Sequence, residues 1–173
     1  LSRLAVALDA TPLLGERTGV GEFCAEALRA LGERDDLDLS AFAVSWRRRG
    51  GIVGQLPRGV RAVSRPLPAR PVHATWRRSG FPPIELVTGP LDVVHGTNFV
   101  VPPARRAARV VTVHDLTTVR FPELCEPATL EFPAFVRRAV AAGAFVHTPS
   151  AFVAAEVVEH FGADQGRVRA VLH

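Results

Sequence analysis

Two short Val-rich runs, Leu91–Val94 and Arg109–Val113, constrain this chain more than anything else in it. Each stops abruptly in polar residues: His95-Gly96-Thr97-Asn98 after the first, His114-Asp115 after the second. Runs of β-branched residues without alternation suit strands buried on both faces, as in a parallel sheet covered by helices on either side. In such sheets ligands sit outside the carboxyl ends of the strands, and both polar clusters fall there. The rest of the chain reads as scaffold for that edge.

Arg3–Asp9 predicts a first strand, with Leu4, Val6 and Leu8 apolar and Asp9 as its stop. After a loop broken by Pro12 and Gly15, Gly19-Val20-Gly21 opens a helix running to about Leu31. Its apolar positions Val20, Phe23, Cys24, Ala27, Leu28 and Leu31 recur three and four apart. Leu37–Trp46 and Val60–Val63 predict the second and third strands. Six prolines between Pro66 and Pro90 make that segment read as mostly loop around short helices, with a turn or two near Val72–Arg78. Ala104–Ala108 reads as a turn of helix in a tight crossover between the two Val-rich strands. A helix is expected from about Ala128 to Ala142, with Pro133 either kinking it or marking its start. Ala144–His147 predicts a sixth strand. Ser150 then caps a helix over Ala151–Phe161, with Gly162 as its left-handed stop. Val168–Leu172 predicts a seventh strand. Strands alternate with helices, so the expected class is α/β: a Rossmann-like, doubly wound parallel sheet of about seven strands in a single domain over 1–173. An end directly after a strand reads as a chain cut at a linker.

Composition narrows the function classes. With 47% apolar residues the chain is globular, and no apolar run approaches the ~20 residues of a membrane span. The opening LSRLAVALDA reaches Asp9 too soon for a signal peptide. Cys24 and Cys125 stand far apart without a CxxC partner, which argues against a disulfide scaffold and for a cytoplasmic setting; Cys24 falls on the apolar helix face and reads as core. The net charge is +4 and every basic residue is Arg. The clusters Trp46-Arg47-Arg48-Arg49 and Trp76-Arg77-Arg78 read as solvated loops. The basic residues are not gathered on one predicted helix, so nucleic acid is not the expected partner.

The candidate site residues follow from position. Gly19, Val20 and Gly21 sit between a strand and a helix, where bare backbone N–H groups can approach an anion; the alternative is that the two glycines simply close the loop. The motif is neither GxGxxG nor a Walker loop, since the chain contains no Lys. His95, Asn98, His114 and Asp115 converge if the two Val-rich strands are neighbours. Imidazole, amide and carboxylate groups suit hydroxyl recognition and proton exchange. A Zn or Mn site is the first alternative, but no third strong ligand stands at ligand-like spacing. The second is that each His bonds backbone at a strand end. Thr148 and Ser150 occupy the next strand's carboxyl end and could touch a ligand, although Ser150 serves equally as a helix cap. Glu123 and Glu126 lie in the loop after Asp115.

Taken in order, LDATPL, TGVG, DVVHGTN, VVTVHDL, RRAVAAGAFVHTPSAFV and VRAVLH resemble the N-terminal half of a retaining glycosyltransferase of family 4, built on the GT-B fold. TGVG alone is weak; the ordered set spans nearly the whole chain. The resemblance implies one half of a GT-B fold, an acceptor-side domain facing a C-terminal donor-binding domain that this sequence does not include. It implies that Gly19, Val20 and Gly21 approach the donor phosphate or sugar, that His114 lies near the transferred sugar, and that His95 and Asn98 shape the acceptor side. A nucleotide sugar and an acceptor are then the substrates, no metal or other cofactor is implied, and peripheral membrane contact through a lipid-linked acceptor is compatible. The alternatives are a non-catalytic sugar- or nucleotide-binding module and half of a GT-B sugar-nucleotide epimerase. Without its donor domain the chain is expected not to turn over.

Overall fold

A computed structural model defines the fold and describes residues 3–16, 18–46, 49–63, 65 and 67–172. The strands are β1 (Leu4–Asp9), β2 (Leu37–Phe42), β3 (Arg61–Val63), β4 (Val93–Gly96), β5 (Ala108–Thr112), β6 (Phe145–Thr148) and β7 (Val168–Ala170). They form one sheet in the order β3-β2-β1-β4-β5-β6-β7, with every neighbouring pair parallel. The helices are α1 (Gly19–Gly32), α2 (Ala69–Arg78), α3 (Glu85–Thr88), α4 (Thr117–Arg120), α5 (Phe132–Ala141) and α6 (Ala151–Phe161).

The order reverses between β1 and β4, and right-handed crossovers then place helices on both faces. On one face Cys24 and Leu28 of α1, with Ile52 of a 3-10 segment, cover Val6, Leu8, Leu39 and Ala41. On the other, Val72 and Trp76 of α2 and Phe135 of α5 pack on Ala7 and Val94. Further along that face α5 and α6 enclose Val111, Val113 and Val146. The class is therefore α/β, a Rossmann-like doubly wound parallel sheet. No helix among the described residues is long and apolar enough to cross a membrane.

Several boundaries depart from the sequence reading, each for a local reason. β2 ends at Phe42 instead of Trp46 because the Val44 N–H leaves the ladder and donates to Thr11 Oγ1 at 2.8 Å. β4 starts at Val93, two residues late, because the Asp92 carboxylate takes the Ala5 N–H at 2.8 Å. His95 and Gly96 consequently belong to the strand and not to the loop beyond it. A Cβ on Gly96 would lie 1.9 Å from the Val100 carbonyl oxygen, so only glycine lets the chain double back there. Residues 104–107 form no helix. Glu85 Oε1 accepts the N–H groups of Arg105, Arg106 and Ala107 at 2.8, 3.0 and 3.4 Å, which takes the donors a helical turn would need.

The proline-rich segment is more helical than its composition suggests. Pro71 lies in the first turn of α2, where its missing N–H is not needed, and α2 runs ten residues. Pro133 likewise opens α5, which starts at Phe132 instead of Ala128. Trp76-Arg77-Arg78 is part of α2 and not a loop: Trp76 is buried and donates its indole N–H to the Pro82 carbonyl at 2.9 Å, while Arg77 pairs with Glu131 at 2.5 Å. In the other cluster Trp46 is exposed, and Arg47 and Arg48 lie outside the described residues.

Candidate functional site

The carboxyl ends of β1, β4, β5 and β6 meet at the reversal of strand order, the place where open α/β sheets bind ligands. Register fixes which side chains face together. Leu8 opposes His95, His95 opposes Val110, and Thr112, two residues on from Val110, opposes His147. Side chains alternate along a strand, so His95, Thr112 and His147 share the face covered by α1. That helix starts at Gly19, directly after the loop leaving β1. One turn in, the Phe23 ring stacks on His147 with centroids 5.5 Å apart and meets His114 edge-on at 5.4 Å. His95 and His147 lie 6.2 Å apart, centroid to centroid. Two half-buried imidazoles, His114 and His147, thus flank one phenyl ring, and a third, His95, meets His147 edge-on.

Hydrogen bonds tie these groups to the sheet. Thr97, fully buried just beyond β4, donates its hydroxyl to the Asp9 carbonyl at 2.6 Å. His114 Nε2 lies 2.9 Å from the Thr97 carbonyl. A carbonyl only accepts, so His114 carries its proton on Nε2. His95 Nε2 meets Thr112 Oγ1 at 2.8 Å, and Thr112 Oγ1 meets His147 Nδ1 at 3.0 Å. Asp9 closes β1 with a buried carboxylate whose Oδ1 accepts the Thr11 N–H at 2.8 Å and the Thr11 hydroxyl. Cys24 lies against the same strand end, its thiol 3.5 Å from the Asp9 carbonyl; burial, then the Asp9 charge, push it up to about 12, so it stays protonated.

Burial dominates the electrostatics. It raises the Asp9 carboxyl from 3.8 to about 6, against the Thr11 hydrogen bonds. It lowers His95 from 6.5 to about 4, helped by the charges His147 and His114 would carry. His114 is also lowered by burial, opposed by the Thr97 carbonyl and Asp115, and His147 is lowered by burial, opposed by the Val171 carbonyl. At neutral pH the imidazoles are neutral and serve as hydrogen-bonding groups.

Of the residues singled out in the sequence, Gly19, Val20, Gly21, His95 and His114 come together at this edge. Gly19 is exposed; a Cβ there would meet nothing within 4 Å, and its φ is not positive. The fold itself therefore does not demand glycine at that position. Asn98 is half-buried and forms a backbone bridge with Val100. Asp115 is exposed and accepts the Thr117 N–H at 2.8 Å, setting the turn into α4. Thr148 is fully buried and donates to the Ser150 carbonyl at 3.1 Å, while Ser150 Oγ accepts the Val153 N–H at 3.2 Å as the cap of α6. Glu123 and Glu126 are exposed. The sequence reading passed over Asp9, Thr97, Thr112, His147 and Phe23 as site residues. Asp9 had a signal, a carboxylate ending a strand at the first crossover; Thr112 and His147 had none, because register alone makes them neighbours.

Among the described residues no group of three or more His, Cys, Asp or Glu is placed to hold a metal ion. A cavity of about 400 Å³ lined by Pro83, Glu85, Leu86, Leu91 and Arg105 opens near the amino ends of β4 and β5, away from this chemistry. A scan of protein-family profiles gives no match to the chain, and neither does a search of curated proteins.

Proposed function

We propose that this chain is the acceptor-side domain of a retaining glycosyltransferase that moves a hexose from a nucleotide sugar to a sugar, lipid-linked or small-molecule acceptor. The observation that carries the reading is the gathering of the Gly19-Val20-Gly21 helix start, His95 and His114 at the reversal of strand order. The ordered sequence resemblance supports it. So does the start of α1, where Thr18 makes no side-chain cap and Gly19 leaves open space, a combination suited to a phosphate or a sugar oxygen.

In this reading His114 lies beside the transferred sugar. Its ring is held by the Thr97 carbonyl and by the Phe23 and Phe99 rings, so it can position a hydroxyl without reorganisation. Charge developing on the departing diphosphate is met by the exposed N–H groups of the Gly19 turn and by a second, donor-binding domain. The nucleotide sugar is a substrate, and no step calls on a cofactor.

The test is transfer from a panel of nucleotide sugars by the enzyme joined to its donor-binding domain, with product configuration read by NMR. Retained configuration, and a rate lowered at least about 100-fold by His114→Ala without a change in thermal unfolding, are the expected results. Inverted configuration, or a His114→Ala rate equal to the parent's, overturns the assignment.

A further inference from the structure

The histidines at this edge are linked in one direction. Both ring nitrogens of His147 are engaged: Nε2 lies 3.2 Å from the Val171 carbonyl oxygen and Nδ1 lies 3.0 Å from Thr112 Oγ1. The carbonyl can only accept, so the proton of a neutral His147 sits on Nε2 and Nδ1 offers a lone pair. The Thr112 hydroxyl must then donate to Nδ1. A hydroxyl has one proton, and with that proton spent Thr112 Oγ1 can meet His95 Nε2, 2.8 Å away, only as an acceptor. His95 therefore carries its proton on Nε2, and its Nδ1 is left as a lone pair. Thr112 is wholly buried, so water cannot replace either partner.

We propose that Thr112 and His147 are positioning residues for His95: anchored on the Val171 carbonyl, they hold it in the Nε2–H tautomer, so that the nitrogen left for a ligand accepts and the ligand must donate. A sugar hydroxyl fits that requirement. A fully ionised phosphate oxygen, which only accepts, does not. The proposal rests on His95 being a site residue, as in the function proposed above, and assigns it to an acceptor-substrate hydroxyl instead of the donor diphosphate. Burial lowers both imidazoles of the chain, His95 and His147, and keeps them neutral at neutral pH, which its direction requires.

The experiment is two-bond ¹H–¹⁵N correlation of the histidine rings in the ligand-free chain at neutral pH. His95 and His147 are each expected as a single Nε2–H tautomer. Thr112→Val, close in shape, should leave His95 averaging between tautomers; Thr112→Ser should restore the single form; His147→Leu, from the far end of the chain, should reproduce the Thr112→Val result. An Nδ1–H His95 in the unaltered protein overturns the proposal without any variant, and so does a pattern unchanged in both Thr112→Val and His147→Leu. Methyl glucoside at high concentration should move the His95 Nδ1 resonance, and inorganic sulfate, which is fully ionised at neutral pH and only accepts, should not; a response to sulfate, or none to the glucoside, overturns the ligand assignment. No glycosyl transfer is involved, so these outcomes are separable from failure of the proposed function.

Discussion

Asp9 and His95 have opposite linkages to proton binding, and replacing Asp9 separates them. Asp9 is only 7% exposed, and its carboxyl is raised by burial from 3.8 to about 6. Between those values the folded chain holds a proton that the unfolded chain has lost, so this group's contribution to stability falls as pH rises. A tenfold change in proton affinity is worth about 1.4 kcal/mol. The charged Asp9 therefore costs about 3 kcal/mol, felt in full above pH 6 and absent below 3.8. His95 runs the other way. Burial, then His147 and His114, lower it from 6.5 to about 4, so in that interval the unfolded chain holds the proton. Its contribution is complete above pH 6.5 and is lost by pH 4, again about 3 kcal/mol. The two slopes nearly cancel between pH 4 and 6. Asp9→Asn keeps the shape and an acceptor for the Thr11 N–H while removing only the Asp9 linkage. Relative to the parent, the variant should gain about 3 kcal/mol between about pH 4 and pH 7.5, and its own stability should fall more steeply toward acid. Urea unfolding followed by circular dichroism across that range measures both, and the linkages of other groups cancel in the difference. A difference between the two proteins that stays constant with pH would refute the reasoning.

Gly19→Ala should be as stable as the parent or up to about 1 kcal/mol more so, because a helix gains from Ala and the added methyl meets nothing; nucleotide-sugar binding by the assembled enzyme should fall at least about tenfold, measured by titration calorimetry beside thermal unfolding. Gly96→Ala, whose methyl would lie 1.9 Å from the Val100 carbonyl oxygen, should cost more than about 3 kcal/mol in urea unfolding; a smaller loss would mean that the chain reversal at 96–101 yields easily. Glu85→Ala should cost about 2 kcal/mol and speed amide exchange at Arg105, Arg106 and Ala107, whose N–H groups it leaves unpaired. Protection there equal to the parent's would show that other acceptors hold the loop.

The fold was largely legible because its signal is local. Val93–Val94 and Val110–Val111 are β-branched runs that only a two-sided core accommodates, and the Ser150 cap with Gly162, at φ +64°, marks a helix by its ends. What misled the reading was also physical: side chains that take over backbone bonds. The Asp92 carboxylate displaces the start of β4, Thr11 Oγ1 ends β2, and Glu85 unwinds 104–107, each across a separation that no local pattern records. Gly19 is the first residue of a helix directly after a loop and His114 stands in a loop, where a bare backbone or a polar group announces itself. Thr112 reads as strand filler because it is β-branched, and His147 reads as the polar end of FVHT. Their chemistry exists only once β5 and β6 pair with Thr112 opposite His147, and β4 and β5 with His95 opposite Val110. A slip of one residue in either pairing would turn an imidazole to the opposite face and break the chain to Val171. The tautomer of His95 is thus a property of strand register, and the apolar residues that set that register, Val94, Val111 and Val146 on the far face, control the polar edge without touching it.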